Sequence, residues 1–251
     1  MPPKKKGKAE TVVAICVQEP LEDGSSMELG AIQGDDLKFL HQAFITDTLN
    51  NVLSVDSSDV RLYSIDIPER KRFVSIVTDY VASKLKGKKA EAYRARFSRH
   101  EQPHDRWGIR LQSVFDDCFK AGYKNVLVLG SRTPTITSAM IITCLKMLKN
   151  LDAVFGPTPE GRYYAIGLSK ALGIDLSEFD WKSPSIYSEV AAALDAKEVT
   201  WSELDIWYAV ENLDELEMMA RDINQYRFEG DESTARETEI VMERLLNKLE
   251  Q

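Results

Sequence analysis

No stretch of the 251-residue chain approaches the eighteen or so successive apolar residues of a bilayer span, and no apolar run follows its basic start. Neither a membrane span nor a secretory leader is expected, and a cytoplasmic location is. Cysteine is scarce. Cys16, Cys118 and Cys144 are far apart, odd in number and form no CxxC pair. That argues against a disulfide framework and points to reduced thiols in the core. The histidines, His41, His100 and His104, lack zinc spacing; His41 falls in a helical pattern and is expected to be packed or on the surface. GxxxxGK[ST] is missing, as is GxGxxG after a strand, so P-loop and Rossmann dinucleotide sites are not indicated. The run Gly130-Ser131-Arg132-Thr133-Pro134 holds a serine without the second glycine of a nucleophile elbow, which makes Ser131 with a distant histidine a poor triad.

Composition is that of an ordinary globular chain, 43% hydrophobic and 29% charged. The net charge of −8 argues against a broad nucleic-acid-binding face. The first eight residues, MPPKKKGK, carry four lysines and are expected to form a solvated tail. Thr11–Gln18 and NVLVLG (125–130) have the β-branched, continuous apolar character of buried parallel strands. VRLYSID, DAVFGPT and YYAIGLS are further strands. Between them lie helical patterns: residues 37–53, capped by Asp35 or Asp36, with Leu37, Leu40, Phe44, Thr48 and Val52 along one side; 69–85; 109–122, stopped by Gly122; and one opening at Thr135 or Thr137. The basic stretch KGKKAEAYRARFSRH alternates and predicts an edge strand guarded by lysines. After Ile174 the chain turns helical and acidic. Its last helix is expected to open at Glu232-Ser233-Thr234, with Ile240, Met242, Leu245, Leu246 and Leu249 as its apolar stripe.

Alternating strands and helices predict an α/β fold with a doubly wound, mostly parallel mixed sheet and a helical C-terminal extension. The simplest partition is a tail over 1–10, an α/β domain over 11–225 and a C-terminal helix over 226–251, packed on or extending that domain.

Five stretches read together, QPHDRWGIRL, VLVLGSRTPTIT, DAVFGPTPEGRYYAIGL, FDWKSPSIY and AVENLDEL, carry a resemblance. In order and spacing they resemble bacterial nucleotide-diphospho-sugar transferase-like proteins with the GT-A glycosyltransferase fold. That family reads Q-x-x-GDLGxRL, GSDxP, GPxxDGGYYxIGL, W-S-T and DVDTxxDL. The resemblance runs from Thr11 to about Leu216. It implies a nucleotide-sugar ligand and a donor cleft involving Gln102, Gly108, Arg110, Arg132, Arg162, Tyr163 and Trp181. Glu160 and Glu211 are the remaining candidates for a catalytic base.

The departures matter more. Sugar transfer from a diphosphate needs its leaving-group charge neutralised, usually by a divalent cation on strand-end carboxylates. The family aspartate suited to that task is replaced by Arg132, whose guanidinium cannot ligate a cation, so neither a metal site nor another cofactor is expected. In the first loop, Ser26, Met27 and Glu28 stand where lysine, threonine and arginine would fall. DGG becomes Glu160-Gly161-Arg162, DVDT becomes Ala209-Val210-Glu211-Asn212, and GDLG becomes Asp105-Arg106-Trp107-Gly108.

Three readings follow. In the first the donor site is eroded, and Arg132 pairs with Glu160 or Glu211 across it. In the second, a metal-independent transferase binds the diphosphate through Arg132 and Arg162. The third is a scaffold subunit that meets a protein partner through its C-terminal helical region. There Trp201, Trp207 and Tyr208 are candidate anchors, although each ring is better explained by packing.

Overall fold

The computed structural model describes residues 9–17 and 27–249; the lysine-rich start and most of the first loop lie outside them. The described elements are, in chain order, Thr11–Cys16 (β1), Gly34–Leu53 (α1), Asp59–Ile65 (β2), Pro68–Lys84 (α2), Gly87–Arg96 (α3), Phe97–Gln102 (β3), Trp107–Lys120 (α4), Asn125–Gly130 (β4), Ser138–Met147 (α5), Ala153–Pro157 (β5), Tyr163–Leu168 (β6), Ile186–Ala196 (α6), Trp201–Glu203 (β7), Leu213–Phe228 (α7) and Arg236–Leu249 (α8). The strands form one seven-stranded sheet in the order β3-β2-β1-β4-β6-β5-β7. All are parallel except β6, which runs antiparallel between β4 and β5.

The period-two alternation of strands sorts side chains to the two faces. Val13 and Ile15 of β1 join Leu127 and Leu129 of β4 in a core closed by α1, α2, α3 and α5. Val12, Ala14 and Cys16 join Val126 and Val128 in a second core closed by α4 and α6. This is the expected α/β sandwich. A third cluster lies outside α1, where Leu37, Leu40 and Phe44 meet Leu216, Met219 and Ile223 of α7 and Leu245 of α8. α1 is therefore enclosed on two sides, and even His41, Thr46, Asp47 and Thr48 are buried along it.

Several local expectations are corrected. The basic stretch folds first as α3 and only then as edge strand β3. Its alanines, lysines and arginines are strong helix formers, and Tyr93 anchors it by stacking on Phe97 with ring centroids 4.6 Å apart. Asp35 and Asp36 sit in the first turn of α1 behind Gln33, where their charge complements the helix dipole without capping. α8 begins at Arg236, because Asp231 draws the Ser233 and Thr234 amides into a turn. Its expected stripe divides: Leu245 is buried, whereas Ile240 and Leu246 are exposed. Strand β7 is three residues long, too short for periodicity to reveal. Of the two threonines proposed to open α5, Thr137 is the cap, accepting the Met140 amide. The three cysteines are free and buried. Among the described residues no helix is long and apolar enough to cross a membrane.

α8 is tied to α1 by a carboxylate. Asp47 accepts the Glu237 amide at 3.1 Å and the Thr238 amide at 2.7 Å, so a buried α1 side chain caps α8. Burial pushes the Asp47 carboxyl up to about 7 against the pull of those amides. Replacing Asp47 with alanine is expected to cost about 1–2 kcal/mol of stability in denaturant unfolding, the scale of a lost helix cap. The folded chain keeps this proton to a higher pH than the unfolded chain, so the group's contribution falls as pH rises from about 4 to about 7. Wild-type stability is expected to decline across that window relative to Asp47→Asn, which cannot titrate.

Candidate functional site

Strands β1 and β4 lie side by side with Cys16 opposite Gly130. From β1 the sheet is built outward to β3 in one direction, and from β4 towards β7 in the other. The chain leaving β4 at Gly130 therefore starts where the strand order reverses, the place at which open α/β sheets form a crevice beyond their carboxyl ends. Ser131, Arg132, Thr133 and Thr135 are all buried there. The next wall is the β5–β6 turn. Thr158 accepts the Gly161 amide through its carbonyl and the Arg162 amide through its hydroxyl. Gly161 takes the left-handed conformation the turn requires (φ 73°), which sets Arg162 over the crevice.

The third wall is the segment entering α7. Its Val210 amide donates to the Arg132 carbonyl at 2.8 Å. Asn212 caps α7 in a reciprocal box with Glu215, whose buried carboxylate accepts the amides of Glu211 at 2.6 Å and Asn212 at 2.9 Å. Burial raises the Glu215 carboxyl above its usual range while these two amides oppose it.

These walls bring two cations onto one carboxylate. Arg162 Nη1 lies 2.9 Å from Glu211 Oε2. Arg132 Nη1 lies 3.6 Å from Glu211 Oε1, with only 1% of the Arg132 side chain exposed. Of the two partners expected for Arg132, the structure selects Glu211. Glu160 lines the same cleft, as do Tyr163, Trp181, Lys182, Trp107 and Glu215. The cleft encloses about 150 Å³. Among the described residues, Arg132, Arg162 and Lys182 share the cleft with Glu160, Glu211 and Glu215, equal numbers of either sign.

Three other residues assigned to the cleft from the sequence do not line it among the described residues. Gln102 is buried at the end of β3. Arg110 is buried in α4 and extends one guanidinium nitrogen to within 3.4 Å of the Val17 carbonyl. Gly108 lies behind the wall: a methyl group added to it would come within 2.8 Å of the Leu176 carbonyl and 2.9 Å of Trp181 Nε1. That indole N–H donates to the same carbonyl at 2.8 Å, so the missing side chain at 108 is what lets Trp181 close the cleft.

Two features had little or no sequence signal. His41 Nε2 lies 3.0 Å from Ser131 Oγ although ninety positions separate them. Both are fully buried, and burial, reinforced by the Arg132 charge, holds the imidazole well below its usual pKa. Ser131 is thus enclosed, unlike an accessible nucleophile. Thr135 joins the crevice to the C-terminal helices: its hydroxyl donates to the Tyr208 phenol at 2.9 Å and accepts Trp207 Nε1–H at 3.2 Å, and its carbonyl accepts from the Tyr226 phenol at 3.2 Å. Tyr208 in turn donates to Asp222 at 2.6 Å. Of the aromatic residues suggested as partner anchors, Tyr208 is buried and Trp201 and Trp207 are half-buried.

A divalent cation of the kind that serves diphosphate chemistry requires converging oxygen ligands. Here a guanidinium stands at the strand-end position, and both oxygens of Glu211 face guanidinium nitrogens. Among the described residues no three His, Cys, Asp or Glu side chains gather in a metal-binding group.

Residues 71–183 match the model of a family described as "Uncharacterized protein conserved in bacteria (DUF2064)". No curated protein matches the chain. Among solved structures, a protein of Desulfovibrio desulfuricans G20 provisionally named a nucleotide-diphospho-sugar transferase is similar with a TM-score of 0.70 and 20% identity, over 94% of this chain and 98% of that one. A 4-diphosphocytidyl-2C-methyl-D-erythritol synthase from Anaerococcus prevotii DSM 20548 has a TM-score of 0.53 and 12% identity, over 86% and 96% of the two chains. CMP:2-keto-3-deoxy-manno-octonic acid synthetase complexed with CTP has a TM-score of 0.50 and 13% identity, over 87% and 99%. The chain thus shares the α/β fold of these structures.

The wall behind Trp181 offers a direct check. Gly108→Ala is expected to displace the indole, breaking its bond to the Leu176 carbonyl, and to lower stability by about 1–3 kcal/mol, as overpacking of a tight interior does. Tryptophan fluorescence of the folded variant, compared with wild type, reads the displacement.

Proposed function

We propose that this chain is a nucleotide-diphospho-sugar transferase-like protein whose metal and donor site has been replaced by an internal ion-pair network, leaving a binding or scaffold role instead of metal-dependent sugar transfer. The observation that carries the reading is the buried Arg132 guanidinium 3.6 Å from Glu211, a cation of the chain itself where the family places a metal-binding carboxylate. A second positive charge reaches the same carboxylate from Arg162. Two guanidiniums on one carboxylate leave a net charge of +1, the same as a divalent cation on one carboxylate. The network therefore replaces the cation's charge, but not its open coordination positions or its capacity to polarise an oxygen.

Group transfer also calls for a base, and the two candidates differ. Glu211 turns one oxygen to each arginine, which engages the carboxylate in ion pairs instead of with an acceptor hydroxyl. Glu160 is exposed at the tip of the β5–β6 turn and forms no ion pair among the described residues. A second reading, binding and transfer without metal, is favoured by one observation: Arg162 is 42% exposed and can reach a ligand. In it, Arg132 and Arg162 hold the diphosphate, Tyr163 and Trp181 wall the cleft, and Glu160 serves as base.

Melting curves with UDP-, GDP- and CMP-linked sugars, each with and without Mg²⁺ or Mn²⁺, test the proposal. Wild type is expected to show no metal-dependent shift. Arg132→Asp, which restores a carboxylate beside Glu211, is expected to gain stabilisation that saturates with Mn²⁺. A wild-type shift that requires the metal would defeat the proposal, and catalysed transfer without metal would establish the second reading.

A further inference from the structure

We propose that Glu211 is a resident anion: its carboxylate occupies the guanidinium pair to which a diphosphate group would bind, and ligand entry requires that side chain to turn out. This rests on the metal-free reading of the cleft and names the residue that controls access to it.

The geometry is that of a bridged oxyanion. Glu211 presents one oxygen to Arg162 at 2.9 Å and the other to Arg132 at 3.6 Å. A phosphate group offers two oxygens in the same disposition, and guanidiniums bind carboxylate and phosphate by similar charge-assisted hydrogen bonds. The two cations differ in freedom. Arg132 is enclosed and serves as the fixed member, whereas Arg162 is 42% exposed on its turn and can follow a ligand.

Glu211 is built so that its side chain moves without its backbone. Its amide is held by the Glu215 carboxylate at 2.6 Å, and its carbonyl accepts the Glu28 amide at 2.7 Å. The following residue, Asn212, is both the cap of α7 and the bridge partner of Glu28. The amide and the carbonyl of Glu211 are thus both committed, while its side chain is 28% exposed and has a path to solvent. With Glu211 inward, the two arginines and the carboxylate sum to +1; with it absent they sum to +2. The cleft of about 150 Å³ also lies below the roughly 300 Å³ at which pockets for drug-sized ligands begin. Turning the side chain outward provides both the missing room and the missing charge.

Calorimetric titration of inorganic pyrophosphate in EDTA, at low ionic strength, tests this. Glu211→Gln keeps the side chain's shape and removes its charge, and is expected to bind pyrophosphate about tenfold or more tightly than wild type, the scale of relieving a like charge at close range. Glu211→Ala serves as a second variant and is expected to move in the same direction. Adding Arg162→Ala to Glu211→Gln is expected to abolish the gain. Equal affinity of wild type and both variants would overturn the inference while leaving the metal-free reading intact. So would failure of all three to bind at millimolar pyrophosphate. Binding only when Mg²⁺ replaces EDTA would overturn both.

Discussion

A guanidinium enclosed as fully as that of Arg132 must be met by negative charge, because a cation taken out of water without a partner is strongly unfavourable. Much of the molecule on the carboxyl side of the sheet is arranged around that demand. The segment entering α7 docks on Gly130–Pro134 through the Val210 amide, which delivers Glu211. The capping box of α7 then fixes the backbone from which Glu211 projects. The β5–β6 turn adds Arg162. Removing Arg132 alone would leave these parts converging on a vacancy, so its effects would extend beyond one ion pair.

The same end of the sheet is joined to the C-terminal helices by neutral hydrogen bonds. Thr135 sits between the Trp207 indole, the Tyr208 phenol and the Tyr226 phenol, and Tyr208 passes the connection to Asp222. The region after residue 200 thus completes a wall of the cleft while also covering α1. A change of ligation in the cleft and a change in the packing of α7 act on shared residues, a contiguous route by which one can bias the other.

The strand and helix alternation was legible because buried strands and amphipathic helices leave different periodicities, and the parallel sheet followed from their order. Arg132, Glu160, Arg162, Tyr163, Trp181 and Glu211, singled out from the motifs, line one cleft. What the sequence concealed was every choice made by tertiary docking. Glu211 takes precedence over Glu160 because a backbone hydrogen bond between residues 210 and 132 sets the register. Gln102 and Arg110, singled out from the motifs, are buried by β3 and α4 and do not line the cleft among the described residues. The pairing of His41 with Ser131 spans ninety residues and leaves no local pattern. In α3, helix propensity overrode an alternation that resembled a strand.

The cap that Asp47 provides for α8 also bears on how the chain reaches its native state. Residues 47 and 238 lie 191 positions apart, so the contact forms only after a very long loop has closed. Until α7 and α8 have docked, the outer side of α1, with Leu37, Leu40 and Phe44, lacks the cover those helices provide. During synthesis the chain must emerge through α7 and α8 before that greasy side is covered, while the strands β1, β2, β3 and β4 behind it are complete by Gly130. The interval between those two events is when the nascent protein is most exposed to aggregation and to chaperone capture.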